Sequence, residues 1–260
     1  MPLEHILGTS PLILTLPYTG TNMQHLIVRR LYDQDQFYSA SDRLLDRLMG
    51  GLRDDLTVLR ANFHRFLSDV DYPFPLAGLN SVRGMIGIVP VLTHDGAPIW
   101  RTPPSNKDAA TWRAMYYATY HAALASSVAR VRAKHGHAIV LNCRALSETA
   151  KQKVKTEDAD IQISTSLGAS SVVGLTSKLV QLAKNTNRFS CALNGSSDTG
   201  WTTQHYGRKG AGVLAIDLQI NEACYLTTGE DTALYNPESA DDLRVLLREM
   251  IDIIADWRPG

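Results

Sequence analysis

The residues best equipped for chemistry stand where apolar runs stop. Ala138-Ile139-Val140-Leu141 leads into Asn142-Cys143-Arg144-Ala145, a run that suits a strand covered on both faces and that ends in an amide and a guanidinium. In open α/β sheets ligands collect beyond the carboxyl ends of such strands, so Asn142 and Arg144 are the first candidates for function. Arg144 also admits a plainer reading, as a cap or ion-pair partner at a sheet edge. Leu12 to Leu16 is a second β-type run, stopped by Pro17 and followed by turn chemistry at Tyr18-Thr19-Gly20. The segment Asn62 to Pro73 mixes His64, Arg65, Asp69, Asp71 and Tyr72 into an extended stretch, the composition of a site-lining loop. His205-Tyr206-Gly207-Arg208 falls in a loop expected over 196–212, and Gln219 lies near the end of the alternating run Val213 to Ile220.

The elements that must position these groups follow from periodicity. Apolar residues recur at helical spacing from Asp108 to Lys134, which predicts the longest helix, with His121 inside it as a packed or surface residue and His135-Gly136-His137 at its end. Ser41-Asp42 reads as the N-cap of a helix that carries Leu44, Leu45 and Leu48 and is closed by Gly50-Gly51. Further strands are expected at Thr57 to Leu59, around Met85 to Pro90, and at Ser190 to Leu193. Further helices are expected from about Ser171 to Ala183 and from Ser239 to Trp257, the second entered through Asn236-Pro237. Lys151, Lys153 and Lys155 read as a solvated face. Strands alternating with helices give a layered α/β fold around a mostly parallel or mixed sheet, as a single domain over 1–260.

Composition narrows the partners. Lys plus Arg and Asp plus Glu are both 26, so no global field draws in nucleic acid or an anionic membrane, and small molecules or proteins are the expected partners. Three widely spaced cysteines in apolar surroundings fit reduced thiols of a cytoplasmic protein. No run approaches the length of a membrane span. Gly207, Gly210 and Gly212 do not form a dinucleotide loop, because their order is wrong and a strand follows them. No phosphate-binding Gly-Lys loop, Gly-x-Ser-x-Gly elbow or His-Glu-x-x-His occurs.

Taken together, several segments resemble the N-formylglutamate deformylase (N-formylglutamate amidohydrolase) family. They are Leu12 to Thr21, Ser41 to Leu44, Arg60 to Pro73, Gly87 to Pro90 with Asp95-Gly96, Tyr120 to Leu124, Ala138 to Glu148, Leu167 to Ser170, Asn194-Gly195, His205 to Arg208 and Gly212 to Tyr225. The resemblance covers almost the whole chain. It implies a zinc-carboxypeptidase-like α/β/α sandwich with a mixed, largely parallel sheet, amide hydrolysis as the family activity and zinc as the family metal. It further implies a zinc-binding histidine where this chain has Tyr18, an Asp-x-His strand end where it has Asn142 and Arg144, and a general-base glutamate where it has Gln219. Asp42 matches a possible acidic ligand, and the Asn-Arg pair that grips the substrate carboxylate becomes Asp71-Tyr72. Arg65, Asp69, His205 and Arg208 keep the family pattern.

These changes remove separate parts of the family machinery. A protonated phenol and a guanidinium are not zinc ligands, and an amide is no general base. The expected function is therefore a non-hydrolytic relative, without zinc, that binds an acyl amino acid or similar carboxylate, or a partner protein, at the former active site. Arg144 is the expected anion anchor, with Asp42, Arg65, Asp69, Tyr72, Asn142, His205 and Arg208 as the walls. Two alternatives stand beside it. One is a metal-independent enzyme that uses Tyr18, Arg144 and Gln219. The other is an amidohydrolase with displaced ligands such as His64 or His205 with Asp42. A collapsed site closed by an Arg144–Asp42 ion pair is the ligand-free version.

Overall fold

The structure is a computed structural model that describes residues 1–33, 35–73, 85–86, 88–93, 96–147, 159–195, 199–228 and 233–259. Its main sheet has seven strands, β1 (Leu3–Ile6), β2 (Leu12–Leu16), β3 (Thr57–Ala61), β4 (Ala138–Leu146), β5 (Ile161–Ser164), β6 (Cys191–Leu193) and β7 (Val213–Asn221). The spatial order is β1-β3-β2-β4-β7-β5-β6. Strands β3, β2, β4 and β7 run parallel, β1 is an antiparallel edge, and β5 pairs antiparallel with β7 and parallel with β6. The sheet is thus mixed and largely parallel. Arg144 lies on the central strand of this order, not at an edge.

Helices cover both faces, as continuous apolar strands require. Along β4, Ile139, Leu141 and Cys143 belong to one core cluster, with the helices α1 (Leu45–Met49), α4 (Val173–Asn185) and α6 (Pro237–Ala255). Ala138 and Val140 belong to the other, with a long helical column. That column runs as α2 (Asn106–Trp112), a π turn (Arg113–Tyr117) and α3 (Ala118–His135). It starts two residues earlier than the periodicity suggests, because Ser105 and Asp108 form a reciprocal capping box. Gly136, at φ 77°, ends it in a left-handed cap. The last helix is entered as expected, with the Asn236 side chain accepting from the Ser239 N–H and Pro237 in the first turn.

Other local expectations are corrected. Helix α1 begins at Leu45 behind Leu44, which sits at φ 55°, and Asp42 caps nothing. The Asp42 N–H instead bonds the Tyr18 carbonyl at 2.9 Å, which tethers the loop after β2 and turns the carboxyl inward. The supposed loop over 196–212 contains a helix, α5 (Trp201–Tyr206), seated on β4 and β7. Strand β1 carried no signal of its own in the sequence. The Lys151, Lys153 and Lys155 face, Glu148, Gly87 and Asp95 lie outside the described residues. The three cysteines are unbridged, though only Cys143 is fully buried. Among the described residues no helix is long and apolar enough to cross a membrane.

Candidate functional site

The site follows from the strand alternation. Successive side chains point to opposite faces, so Asn142 and Arg144 continue the face of Val140, and Asp217 and Gln219 continue that of Ala215. Parallel pairing sets Asn142 against Asp217 and Arg144 against Gln219. Thr15 on β2 lies opposite Asn142 on the other side. The half of this face nearest the strand N-termini is therefore apolar and packed under α3, and the half nearest the C-termini is polar.

These polar groups form a closed lattice. Arg144 donates from Nε to Asp217 Oδ1 at 3.1 Å and from Nη2 to Oδ2 at 2.5 Å, a two-point carboxylate fork. Its Nε also lies 3.5 Å from Asp71 Oδ2. Asn142 donates through Nδ2 to Asp71 Oδ2 and Asp217 Oδ1, each at 3.0 Å, and accepts from the Thr15 hydroxyl at 2.8 Å. The entry to α5 completes it, with Gly200 N–H on Asp217 Oδ2 at 3.1 Å and Thr202 N–H on Asp71 Oδ1 at 2.6 Å. Gln219 Nε2 reaches Asp217 Oδ2 at 3.2 Å. Two buried carboxylates against one guanidinium leave an excess of acid, and burial pushes Asp71 up to about 6 even though Arg144 opposes the shift. Among the described residues Arg144 pairs with Asp217 and Asp71 and not with Asp42, because strand register puts Asp217 within reach of the guanidinium.

A second cluster adjoins the first. The Tyr18 hydroxyl donates to Asp69 Oδ1 at 2.6 Å, and Arg65 Nη2 binds Asp69 Oδ2 at 2.8 Å. The Arg65 guanidinium lies 3.7 Å from the centroid of the Tyr18 ring, a cation–π contact. Burial and the Asp69 charge hold the Tyr18 phenol well above its usual range, so it stays protonated. Asp42 is buried nearby, with Oδ2 unpartnered among the described residues, and burial raises it to about 7 against the pull of Arg65 and the Ala145 N–H. Tyr72 is half-buried, and burial with the nearby Asp69 raises its phenol.

Arg65 and Arg144 differ in availability. Among the described residues Arg65 Nε and Nη1 have no hydrogen-bond partner, and its side chain is 19% exposed. The Arg144 side chain is 11% exposed, with Nε and Nη2 already held by Asp217.

The remaining candidates stand apart. His205 is exposed on α5, its ring 4.9 Å from those of Trp201 and Tyr206, and Arg208 donates to the carbonyls of Gln204 and Gly207. Neither contacts the lattice among the described interactions. His64 is fully buried with both ring nitrogens in use, one on the Phe37 carbonyl at 2.8 Å and one accepting from the Phe66 N–H at 3.1 Å. It has no lone pair left for a metal. The displaced-ligand set of His64 or His205 with Asp42 is therefore not assembled. Asp217 and Gly200 are site residues that the sequence reading missed. Asp217 had a signal, as the only charged residue in the run Val213 to Ile220 and two positions before Gln219.

The donors present do not fit zinc. Tyr18 stays protonated and donates its hydroxyl to Asp69, Arg144 has no lone pair, and the Asn142 amide nitrogen faces two carboxylates. Among the described residues no group of three or more His, Cys, Asp and Glu is placed to hold a metal ion.

Comparison with known proteins agrees with the fold. A model described as N-formylglutamate amidohydrolase matches residues 10–226. A protein from Pseudomonas aeruginosa named N-formylglutamate deformylase is 24% identical over 96% of this chain and 94% of its own. One of the same name from Pseudomonas putida is 23% identical over the same shares. The solved N-formylglutamate amidohydrolase from Ralstonia eutropha superposes with a TM-score of 0.82 at 21% identity, covering 98% of this chain and 97% of that one. A protein from Agrobacterium tumefaciens superposes at 0.72 with 12% identity, over 97% and 94% of the two chains.

Proposed function

The chain belongs to the N-formylglutamate amidohydrolase family, and on that premise we propose that it is a divergent member that binds an anionic small molecule without zinc-dependent hydrolysis. The observation that carries this reading is the Arg144–Asp217 fork, which sets a fixed cation and its counter-ion where the family resemblance implies a metal ligand. A charge held in this way organises the strand ends without any metal. The ligand class is an acyl amino acid or related carboxylate, in keeping with the names of the curated relatives. Arg65 is the accessible anchor, since it offers donors at the rim, while Arg144 is neutralised by Asp217 and Asp71 and holds the strand ends together behind it. Tyr18 and Asp69 orient Arg65 from beneath.

The test uses N-formyl-L-glutamate, with and without an equivalent of zinc, and reads binding heat and formate release. Saturable binding with no formate above the buffer rate, unchanged by zinc, is expected. Zinc-dependent formate release over many turnovers would overturn the proposal. One observation favours a second reading, a metal-independent enzyme. A buried carboxyl held at about 7 at Asp42 can exchange a proton at neutral pH, as an acid–base catalyst must. Formate release that ignores zinc and is lost in Asp42→Asn would select it.

A further inference from the structure

His121 is joined to both segments that meet at Asp71. Its Nε2 lies 2.9 Å from the Val70 carbonyl, which can only accept, so Nε2 carries the hydrogen and Nδ1 presents a lone pair. That lone pair faces the Tyr206 hydroxyl at 3.1 Å, and the same hydroxyl reaches the His121 carbonyl at 3.2 Å, so Tyr206 contacts His121 through both ring and backbone. Val70 sits between Asp69 and Asp71. Tyr206 closes the helix whose first turn gives the Thr202 N–H to Asp71. The contacts therefore close a ring from Asp71 through Thr202, Tyr206 and His121 to Val70 and back. One helical turn earlier, Tyr117 donates to the Tyr72 carbonyl at 3.2 Å with its ring 4.3 Å from that of His121. The π turn Arg113–Tyr117 leads into this pair and sets the rotational phase that aims it at the Asp69–Tyr72 segment.

We infer that His121 is a positioning residue, which in its neutral Nε2-protonated form latches the Asp69–Tyr72 segment to the Trp201–Tyr206 helix and so fixes the Asp71 carboxylate against Arg144 and Asn142. Backbone carbonyls are its natural targets here, because a hold on Val70 and Tyr72 constrains the residue between them without competing for its carboxylate. Burial keeps the imidazole at about 4, so the neutral form persists at physiological pH. Chain connectivity alone would leave Asp71 in a loop. Asp71 is held by the Trp201 N–H on its own carbonyl at 3.2 Å and the Thr202 N–H on its carboxylate, and on either side by His121 at the Val70 carbonyl and Tyr117 at the Tyr72 carbonyl. The inference concerns the placement of Asp71 and does not depend on whether the site binds an anion.

Amide hydrogen exchange on the full chain tests it, because the Thr202 N–H bonds Asp71 Oδ1 and the Asp71 N–H bonds Asp69 Oδ1. In His121→Phe these two amides should exchange about tenfold faster relative to core amides of β4 and β7, the loss expected when one buried hydrogen bond no longer holds the segment. His121→Gln keeps an N–H donor at similar reach and should restore most of the protection. Tyr206→Phe, which removes only a hydroxyl, serves if His121→Phe does not fold, and should raise the Thr202 rate in the same sense. Thr202 and Asp71 rates that move only in step with the core amides, or a glutamine variant no better than phenylalanine, would show that His121 merely packs and would overturn the inference. So would an unchanged Thr202 rate in Tyr206→Phe.

Discussion

Gly200 and Asp71 approach so closely that a Cβ on Gly200 would stand 2.1 Å from Asp71 Oδ2 and 2.9 Å from Asn142 Nδ2. Any side chain at 200 must displace the carboxylate or the start of the Trp201–Tyr206 helix, together with the Gly200 and Thr202 N–H bonds to Asp217 and Asp71. Gly200→Ala is therefore expected to cost about 2 to 4 kcal/mol of stability, as for a substitution that breaks a buried polar network. Urea unfolding measures it. A loss below about 0.5 kcal/mol, the range of ordinary surface changes, would contradict the close approach.

Arg144→Met keeps length but leaves Asp217 and Asp71 buried without their cation. Breaking a buried pair from one side costs about 3 to 5 kcal/mol, more than the pair itself contributes. The double variant Arg144→Met/Asp217→Asn should recover part of that loss, because the uncompensated charge leaves with the aspartate. Additive losses in the double-mutant cycle would mean that the fork is not formed in solution.

Arg65→Gln should weaken N-formyl-L-glutamate binding about ten- to a hundredfold, the cost of losing a charge-assisted hydrogen bond. Its Asp69 contact is only one part of its donor set, so the fold should survive the change. Calorimetric titration of wild type and variant checks this. Equal affinities would move the anion anchor away from Arg65.

Between about pH 4.5 and 6 two opposed linkages act on stability, so its change with pH should be smaller than either alone would give. Burial holds His64 at about 3 and His121 at about 4, below the ordinary 6.5. The unfolded chain takes up those two protons first, so acidification through this window removes stability. Asp42 at about 7 and Asp71 at about 6 lie above the ordinary 3.8. Here the folded chain takes up the protons first, so the same acidification adds stability. His64→Gln deletes one destabilising proton and should tilt the profile toward acid stability by about 1.4 kcal/mol per pH unit. Urea midpoints across the range decide it, and parallel profiles for variant and wild type would refute the assignment.

Local pattern in the sequence determined much of this protein. The apolar runs gave β2 and β4, the helical spacing gave the long column that contains His121, and Asn236-Pro237 marked the last helix. These are short-range signals, because a strand or helix reports its own covering through a period of 2 or 3.6 residues. The polar ending of β4 pointed in the same way to Asn142 and Arg144, which do lie in a buried polar cluster. Tertiary structure alone decided what they meet. The β2-β4-β7 order brings Asp217 beside Asn142, and a segment some 70 residues upstream delivers Asp71, while His64 is spent on backbone and His205 faces solvent. Asp42 looked like a helix cap because its sequence neighbours fit one. The Tyr18 carbonyl, distant in sequence, claimed its N–H and turned the carboxyl into the interior. Such pairings depend on strand order and register, which no local periodicity encodes.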